Sequence, residues 1–282
     1  MKPSKICNPL CLLLILVLSS CTGSKQNEKN LGKVERQDVV QRVSLNGSLR
    51  GLKQSQIQAA YAGYVGKIHV KVGQVVKEQA PLVSIIQTIN QPLREVFPIR
   101  APFSGTVTQI LKQEGEYVTS GGSESNSILV IVDLSQIWID ATIPEVDISK
   151  VSLELPAVIQ ANALPGKKYN GLVKTISLSP KQSQDRWDRG RVEYPCQIQI
   201  TDPDEALRPG MTVVADVISA KAENVLTLKH EYIRKDKDGF FVVDSAGKNH
   251  RIEAGLSNED IVEIQSGAVE GLMVEMIDFS KL

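Results

Sequence analysis

Apolar and polar side chains alternate along most of the chain, and stretches with helical spacing are few. The clearest case is residues 192–200, where every second side chain is apolar and the side chains between them are mostly polar. A period of two is typical of a strand with one buried face. The apolar set is Val192, Tyr194, Cys196, Ile198 and Ile200. The pattern therefore predicts a mainly β protein in which Cys196 is a buried, unreactive thiol.

Turn signals separate these strands. Pro165-Gly166 and Pro209-Gly210 each place proline before glycine, the order that a type II turn requires. Asp238-Gly239 predicts a hairpin between a strand at 232–233 and a strand at 240–243. Gly210 is therefore predicted to be a structural turn glycine.

An internal repeat is the most informative pattern in the chain. Six residues between 59 and 76 recur 42 positions later. They are Ala59, Gly63, Val65, Ile68, Gly73 and Val76, which recur as Ala101, Gly105, Val107, Ile110, Gly115 and Val118. Each copy reads as strand, glycine turn and strand, followed by an apolar strand at 82–86 or 128–132. We expect Gly63, Gly73, Gly105 and Gly115 at turns, and the two copies packed together as a small sandwich.

The first residues predict export. Lys2 and Lys5 precede an unbroken apolar run at 10–18, which is too short to span a bilayer core that needs about 20 residues. The following Leu18-Ser19-Ser20-Cys21 resembles the lipobox of bacterial lipoproteins, in which the cysteine is acylated, palmitate being one such chain. This predicts a signal peptide at 1–20, lipid attachment at Cys21 and a flexible tether at 21–32. An ordinary signal peptide with an accidental cysteine is the alternative.

The remaining cysteines and the net charge limit which disulfide bonds and which partners the chain could have. Cys7 and Cys11 lie in the signal and Cys21 would carry lipid, so Cys196 has no partner for a disulfide. The 32 basic residues balance the 32 acidic residues. The sequence contains no stripe of basic residues of the kind that would indicate nucleic acid as a partner.

Several segments, taken in order, resemble one family. Residues 61–76 and 99–107 are similar to the two halves of a biotinyl/lipoyl-like sandwich. Residues 138–148 and 207–213 resemble the entry and closing turn of a β-barrel, and 251–271 resembles a membrane-proximal domain. The whole set resembles the membrane fusion, or periplasmic adaptor, family of tripartite efflux pumps.

The resemblance implies an elongated, mainly β chain with nested topology. In this arrangement 34–40 is a strand of the membrane-proximal domain and 43–51 is a strand of the barrel. The implied domains are a lipoyl-like barrel-sandwich hybrid at 57–132, a β-barrel at 43–56 and 133–220, and a membrane-proximal β domain at 33–42 and 221–282.

The same resemblance implies partners and a location. It implies an inner-membrane transporter of the resistance–nodulation–division type, an outer-membrane exit channel and a homo-oligomer. The lipid anchor would hold the chain to a membrane facing the periplasm, the inner membrane being favoured over the outer. An adaptor of an ATP-driven exporter and a non-transport structural lipoprotein of the envelope stay open.

One segment departs from the family pattern. Many adaptors insert a long α-helical hairpin between the sandwich halves, but here only residues 87–98 join them, with Pro92 and Pro98 among them. Two helices do not fit in such a segment. We therefore expect no α-helical hairpin, and the loops at 87–98 and 120–127 are candidates to dock an outer-membrane channel.

Residue chemistry argues against a carrier, an enzyme or a metal protein. Biotinyl and lipoyl carriers present a lysine between their halves, and no lysine lies between Lys77 and Lys112. His69, His230 and His250 are far apart, and no hydrolase, metalloprotease or phosphate-binding motif is present. Met273 and Met276 flank Val274 in a predicted strand, which favours a core role for them. We expect no catalytic residue, no cofactor and no metal site.

One charged segment has two interpretations. Residues 185–191, Asp-Arg-Trp-Asp-Arg-Gly-Arg, combine Trp187 and Arg189. The segment is either a solvated barrel loop or a docking loop, since tryptophan and arginine are enriched at interface hot spots.

Overall fold

A computed structural model describes residues 31–87, 96–120, 126–181 and 192–277. Within these ranges the chain forms β-strands joined by turns, with two short 3₁₀ segments at Glu145–Lys150 and His230–Tyr232. The prediction of a mainly β protein is confirmed. No helix in this part of the chain has the length and hydropathy of a membrane span. The strands are β1 Leu31–Lys33, β2 Glu35–Gln58, β3 Gly63–Ile68, β4 Val75–Val76, β5 Pro81–Ile86, β6 Val96–Arg100, β7 Gly105–Ile110, β8 Tyr117–Val118, β9 Ser127–Pro144, β10 Pro156–Ala161, β11 Tyr169–Ile176, β12 Glu193–Ile200, β13 Thr212–Lys229, β14 Arg234–Asp236, β15 Gly239–Val243, β16 Asn249–Ser257, β17 Ile261–Ser266 and β18 Met273–Glu275.

Within the described ranges, buried apolar side chains form three separate clusters. The sandwich cluster includes Val65, Ile85, Val107 and Ile131, and it lies between the two halves of the repeat. The barrel cluster contains residues of β2, β9, β10, β11, β12 and β13. The third cluster defines what we call the terminal unit: Val34, Leu228, Val242, Ile252, Ile264 and Val274. The residue boundaries predicted for the three domains stay a prediction.

Three long strands, β2, β9 and β13, run from one cluster to another. β2 has 24 residues, and it supplies Val43, Leu45 and Leu49 to the barrel cluster and Ile57 to the sandwich cluster. The two strands predicted at 34–40 and 43–51 are therefore wrong as separate elements. They merge because β2 keeps an antiparallel partner throughout, β13 along its first half and β9 along its second. Register shifts interrupt the pairing at 51–53 and 57–58 of β2 and at 218–220 and 222–225 of β13.

The barrel confirms the predicted strand and turns around it. β12 carries Cys196, Ile198 and Ile200 on its buried face, but the predicted burial of Val192 is wrong, because this residue precedes the strand and is exposed. Gly166 and Gly210 have φ angles of 86° and 88°, and each turn is closed by a backbone hydrogen bond. These angles suit glycine, because a side chain at positive φ clashes with its own backbone. The predicted turn role of Gly210 agrees with this geometry.

The terminal unit differs from the sequence prediction in two places. The Asp238-Gly239 hairpin forms, but its first strand is β14, which begins at Arg234, because Tyr232 lies in a 3₁₀ segment that packs over Gly32. The core role predicted for the two methionines is wrong for Met273, whose side chain is 38% exposed. Val274 between them points inward instead and is fully buried.

Candidate functional site

Each half of the sandwich contributes a short strand to the sheet of the other half. β4 of the first half pairs with β7 of the second, and β8 of the second half pairs with β3 of the first. The turn before each short strand is bound to the opposite half by two backbone hydrogen bonds. These bonds run from Gly73 N to Val107 O (2.8 Å), Val107 N to Gln74 O (3.0 Å), Gly115 N to Val65 O (2.7 Å) and Val65 N to Glu116 O (2.9 Å). The halves are thus related by a local two-fold, and neither can close its core alone.

The repeat glycines serve two different purposes. Gly73 and Gly115 have φ angles of 85° and 86° and lie in turns, in agreement with the sequence prediction. The prediction of turns at Gly63 and Gly105 is wrong, since these residues begin β3 and β7. A Cβ atom at Gly63 would lie 2.7 Å from Ile86 O, and one at Gly105 would lie 2.8 Å from Val132 O. Here glycine is required by the close approach of the neighbouring strand rather than by its φ angle.

The repeat also begins one strand earlier than the sequence analysis placed it. β6 was not predicted, yet it pairs with β5 in the way that the end of β2 pairs with β9. Ile57 and Ile99 occupy equivalent positions in these strands, again 42 residues apart, and both contact the sandwich cluster. This repeated pair of isoleucines was the sequence signal that could have located the strand. The strand was missed because Pro98 interrupts its pattern, although proline is tolerated in an edge strand.

The link between the two halves offers no attachment point for a carrier cofactor. β5 ends at Ile86 and β6 begins at Val96, so the two strands form an antiparallel hairpin. Tyr61 and Phe97 pack near the end of this hairpin where the two strands are connected, with ring centroids 5.3 Å apart. No lysine lies between Lys77 and Lys112 in the sequence. A swinging arm bound through a lysine amide therefore has no residue to hold it in this hairpin.

One face of the sandwich carries a row of apolar side chains that sequence reasoning missed. Tyr117, Tyr64, Ile86 and Val96 are neighbours in register across the four strands β8, β3, β5 and β6. The rings of Tyr64 and Tyr117 meet edge to face with centroids 5.1 Å apart. On the other sheet Val75, Thr106, Val132 and Gln54 stand in the corresponding row. The two outer faces therefore differ in chemistry although their backbones correspond.

The pKa shifts among the described residues arise from burial and from ion pairs. Burial raises the pKa of the Cys196 thiol to about 11, with a further contribution from the charge of Asp140, so this thiol stays protonated at neutral pH. A hydrogen bond from Lys167, 2.7 Å away, lowers the pKa of Asp204, and His250 does the same for Asp244 at 2.8 Å. Among the residues that the structure describes, no group of three or more histidine, cysteine or acidic side chains could hold a metal ion.

Three predicted site residues lie outside the described residues: Cys21, Trp187 and Arg189. The flanks of the Trp187 segment are described, however. Lys181 N donates to Glu193 O at 2.8 Å, and Ser177 N donates to Pro195 O at 2.8 Å. These bonds place both ends of the segment beside β11 and β12 at the end of the barrel nearest the terminal unit.

The comparisons with known proteins agree with this architecture. Residues 137–217, whose strands belong to the barrel, match the family model of the YknX-like beta-barrel domain. The nodulation protein NolF of Rhizobium meliloti is 29% identical over 61% of this chain and 45% of its own length. The pyoverdine export membrane fusion protein PvdR of Pseudomonas aeruginosa is 28% identical over 61% of this chain and 49% of its own length. The chain thus spans about half the length of these relatives.

A solved structure shows the same fold over most of the chain. MacA from Actinobacillus actinomycetemcomitans superposes with a TM-score of 0.72 at 20% identity, covering 88% of this chain and 99% of that one. The order of sandwich, barrel and terminal unit around the shared strands is therefore a known arrangement. With its exchanged sandwich halves, its YknX-like barrel and these relatives, the chain is similar to the proteins of the membrane fusion, or periplasmic adaptor, family.

Proposed function

We propose that this protein is the periplasmic adaptor subunit of an efflux pump, linking an inner-membrane transporter to an outer-membrane exit channel without catalysing a reaction. The observation that carries the proposal is the fold itself, a lipoyl-like sandwich without a carrier lysine in series with a barrel and a terminal unit. A carrier would need the lysine and an enzyme would need a reactive cluster. An adaptor needs only a suitable shape and surfaces that contact its partners.

The long strands suit a protein that bridges a distance. At about 3.3 Å per residue, the 24 residues of β2 have a contour length of about 80 Å. This one strand touches the barrel and sandwich cores and begins beside Val34 of the terminal unit. A load or displacement at one end of the chain is therefore carried by paired backbone rather than by a loop.

The lipid anchor at Cys21 is the second part of the proposal. Acyl chains on Cys21 would hold the terminal unit near the inner membrane through the tether predicted at 21–32, whose last two residues belong to β1. More than one acyl chain is needed for stable anchoring. Growth with an alkyne analogue of palmitate should label the wild-type protein and leave Cys21→Ser unlabelled. Equal labelling of the two proteins would contradict an anchor at this cysteine.

Capture of partners tests the adaptor role. We expect the C-terminally tagged protein, crosslinked in its own host membrane and purified in detergent, to recover a transporter of the resistance–nodulation–division type together with further copies of itself. Recovery of an ATP-driven exporter would preserve the adaptor role and reject that transporter class. Recovery of no transporter would favour a structural lipoprotein of the envelope and overturn the proposal.

The loop at 182–191 is the proposed contact with the transporter. Its flanks lie at the barrel end nearest the terminal unit, which an anchored chain would hold close to the inner membrane. Trp187→Ala with Arg189→Ala should reduce transporter recovery without changing the melting temperature. Arg208→Ala is the matched control, because Arg208 is an exposed arginine in the turn that joins Leu49 at the other end of the barrel. Equal recovery with both variants would remove the docking role.

A further inference from the structure

The barrel and the terminal unit are joined by a ribbon of two antiparallel strands. We call this the neck and define it as residues 35–42 of β2 and 218–227 of β13. Only Val39 and Thr227 are buried within it, and neither belongs to the barrel cluster or the terminal-unit cluster. A two-stranded ribbon with so little core is marginally stable by itself. Its shape must therefore be held by something other than hydrophobic packing.

Two bulges lie in the neck, both on β13. The register shifts between Ile218 and Ala220, and again between Ala222 and Val225. At the second bulge two residues, Glu223 and Asn224, stand opposite the single residue Asp38. Asn224 has a φ of 52°, a left-handed conformation that asparagine tolerates better than most residues. Bulges of this kind bend a ribbon and increase its twist, so the neck sets the angle at which the terminal unit leaves the barrel.

Side chains of β2 satisfy both peptide groups of the bulged residue. Asn224 N donates to Asp38 Oδ1 at 2.9 Å, and Arg36 Nη1 donates to Asn224 O at 2.8 Å. The extra residue of a bulge loses its cross-strand partners, and these two bonds replace them. Together they hold the bulge in one conformation.

The same arginine reaches the terminal unit. Arg36 Nε donates to Glu270 Oε2 at 3.0 Å. Glu270 lies in a tight turn between Gly267 and Gly271, and Gly271 N donates to Val34 O at 2.8 Å. One guanidinium therefore connects three parts of the chain: β2, the bulge in β13 and a turn that packs on the terminal-unit core through Ala268 and Leu272. A lysine would hold these two acceptors less well, because its single ammonium lacks the planar fork of donors.

We propose that Arg36, with Asp38 and Glu270, is an orientation latch that fixes the terminal unit relative to the barrel at the Asn224 bulge. The latch acts on the angle between two folded units rather than on their stability, since the side chains of Arg36, Asp38 and Glu270 are all exposed. When the Arg36–Glu270 bond opens, Arg36 no longer ties the bulge to the turn of the terminal unit, and the ribbon is free to change its bend. The proposal does not depend on the transport role, because it concerns the purified chain alone.

Distances between the two units test the latch directly. Spin labels attached through non-canonical amino acids at Gln160 in the barrel and Lys248 in the terminal unit report the distance distribution in the full chain, and both positions are exposed. We expect the distribution of Arg36→Ala and Arg36→Lys to be roughly twofold broader than wild type, as for a freed hinge. Arg42→Ala is the control, because Arg42 is an exposed arginine of the same strand without an ion pair among the described residues.

Further variants separate the latch from a loss of folding. Glu270→Ala removes a surface side chain that is 61% exposed and should broaden the distribution while the melting temperature stays unchanged. Adding Glu270→Ala to Arg36→Ala should broaden it no further. Wild-type distributions in both Arg36→Lys and Glu270→Ala would overturn the proposal. A broadening of the same size in Arg42→Ala would also overturn it, because any change in the neck would then have that effect.

Discussion

The two halves of the sandwich share a backbone and differ in their surfaces. Their turns, close strand contacts and reciprocal hydrogen bonds correspond one to one. Their outward side chains do not, since Tyr64 and Tyr117 of one face stand where Thr106 and Val75 stand on the other. The comparison separates positions where the backbone geometry requires a particular residue from positions where binding to a partner could have determined the side chain. Equivalent substitutions in the two halves should therefore agree where the backbone decides.

The shared core should give the largest effects. Ile85 and Ile131 occupy equivalent positions beside Val65 and Val107, and both are almost completely buried. Ile85→Ala and Ile131→Ala should each lower the free energy of unfolding by about 2–5 kcal/mol, because each leaves a cavity in the same core. Urea denaturation followed by circular dichroism measures this. A loss in one half that is several times the loss in the other would show that the local two-fold does not extend to the energetics.

The close strand contacts should rank second. Gly63→Ala and Gly105→Ala place a Cβ atom within 3 Å of a backbone carbonyl in the adjacent strand. We expect each to lower the free energy of unfolding by about 1–3 kcal/mol through overpacking. Gly166→Ala is an informative control, because its Cβ meets open space and only its positive φ is unfavourable. Wild-type stability in the Gly63 and Gly105 variants would contradict the steric explanation.

The turn glycines should rank third. Gly73→Ala and Gly115→Ala meet no atom within 4 Å, so the cost comes only from a positive φ. That cost is about 1–2 kcal/mol for alanine. Gly73→Asn and Gly115→Asn should recover part of it, because asparagine tolerates this conformation better. Thermal melting of the four variants checks the order, and asparagine variants less stable than alanine variants would reject it.

The surface positions should give the smallest effects on stability. Tyr117→Thr and Val75→Thr replace exposed side chains and should change the free energy of unfolding by no more than about 0.5 kcal/mol. The halves should differ instead in binding. If the row of Tyr117, Tyr64, Ile86 and Val96 is a contact surface, Tyr117→Thr lowers recovery of crosslinked partners and Val75→Thr does not. Equal recovery with both variants would make the row an ordinary exposed sheet face.

The sequence predicted the class of fold and the repeat because both depend on local patterns. Alternation at 192–200 and the Pro-Gly turns follow from single-strand and single-turn chemistry, and the 42-residue repeat kept its buried positions. Gly63 was misjudged because its requirement comes from Ile86 O on another strand, which no local pattern reveals. The continuity of β2 was missed for a similar reason. Whether a polar stretch such as residues 35–38 ends a strand depends on the partner opposite it.

The neck illustrates the same limit. No motif marks Arg36, Asp38 or Asn224. They meet because β2 pairs with β13, which lies far away in the sequence. Arg36 and Glu270 are 234 residues apart in sequence. Neither composition nor periodicity indicates such a contact. Long-range pairing has to be known before these residues can be recognised as a group.

The long strand β2 also has a consequence for how the chain folds. It is made long before its partner β13, since Thr227 Oγ1 donates to Glu35 O across 192 residues. The sandwich, whose halves lie close in sequence, can close early, whereas the barrel and terminal unit must wait. During that interval the first half of β2 has no strand partner, and its unpaired backbone edge is prone to aggregation. Such a topology folds slowly, and an exported chain of this kind would benefit from a chaperone that covers this edge until β13 emerges.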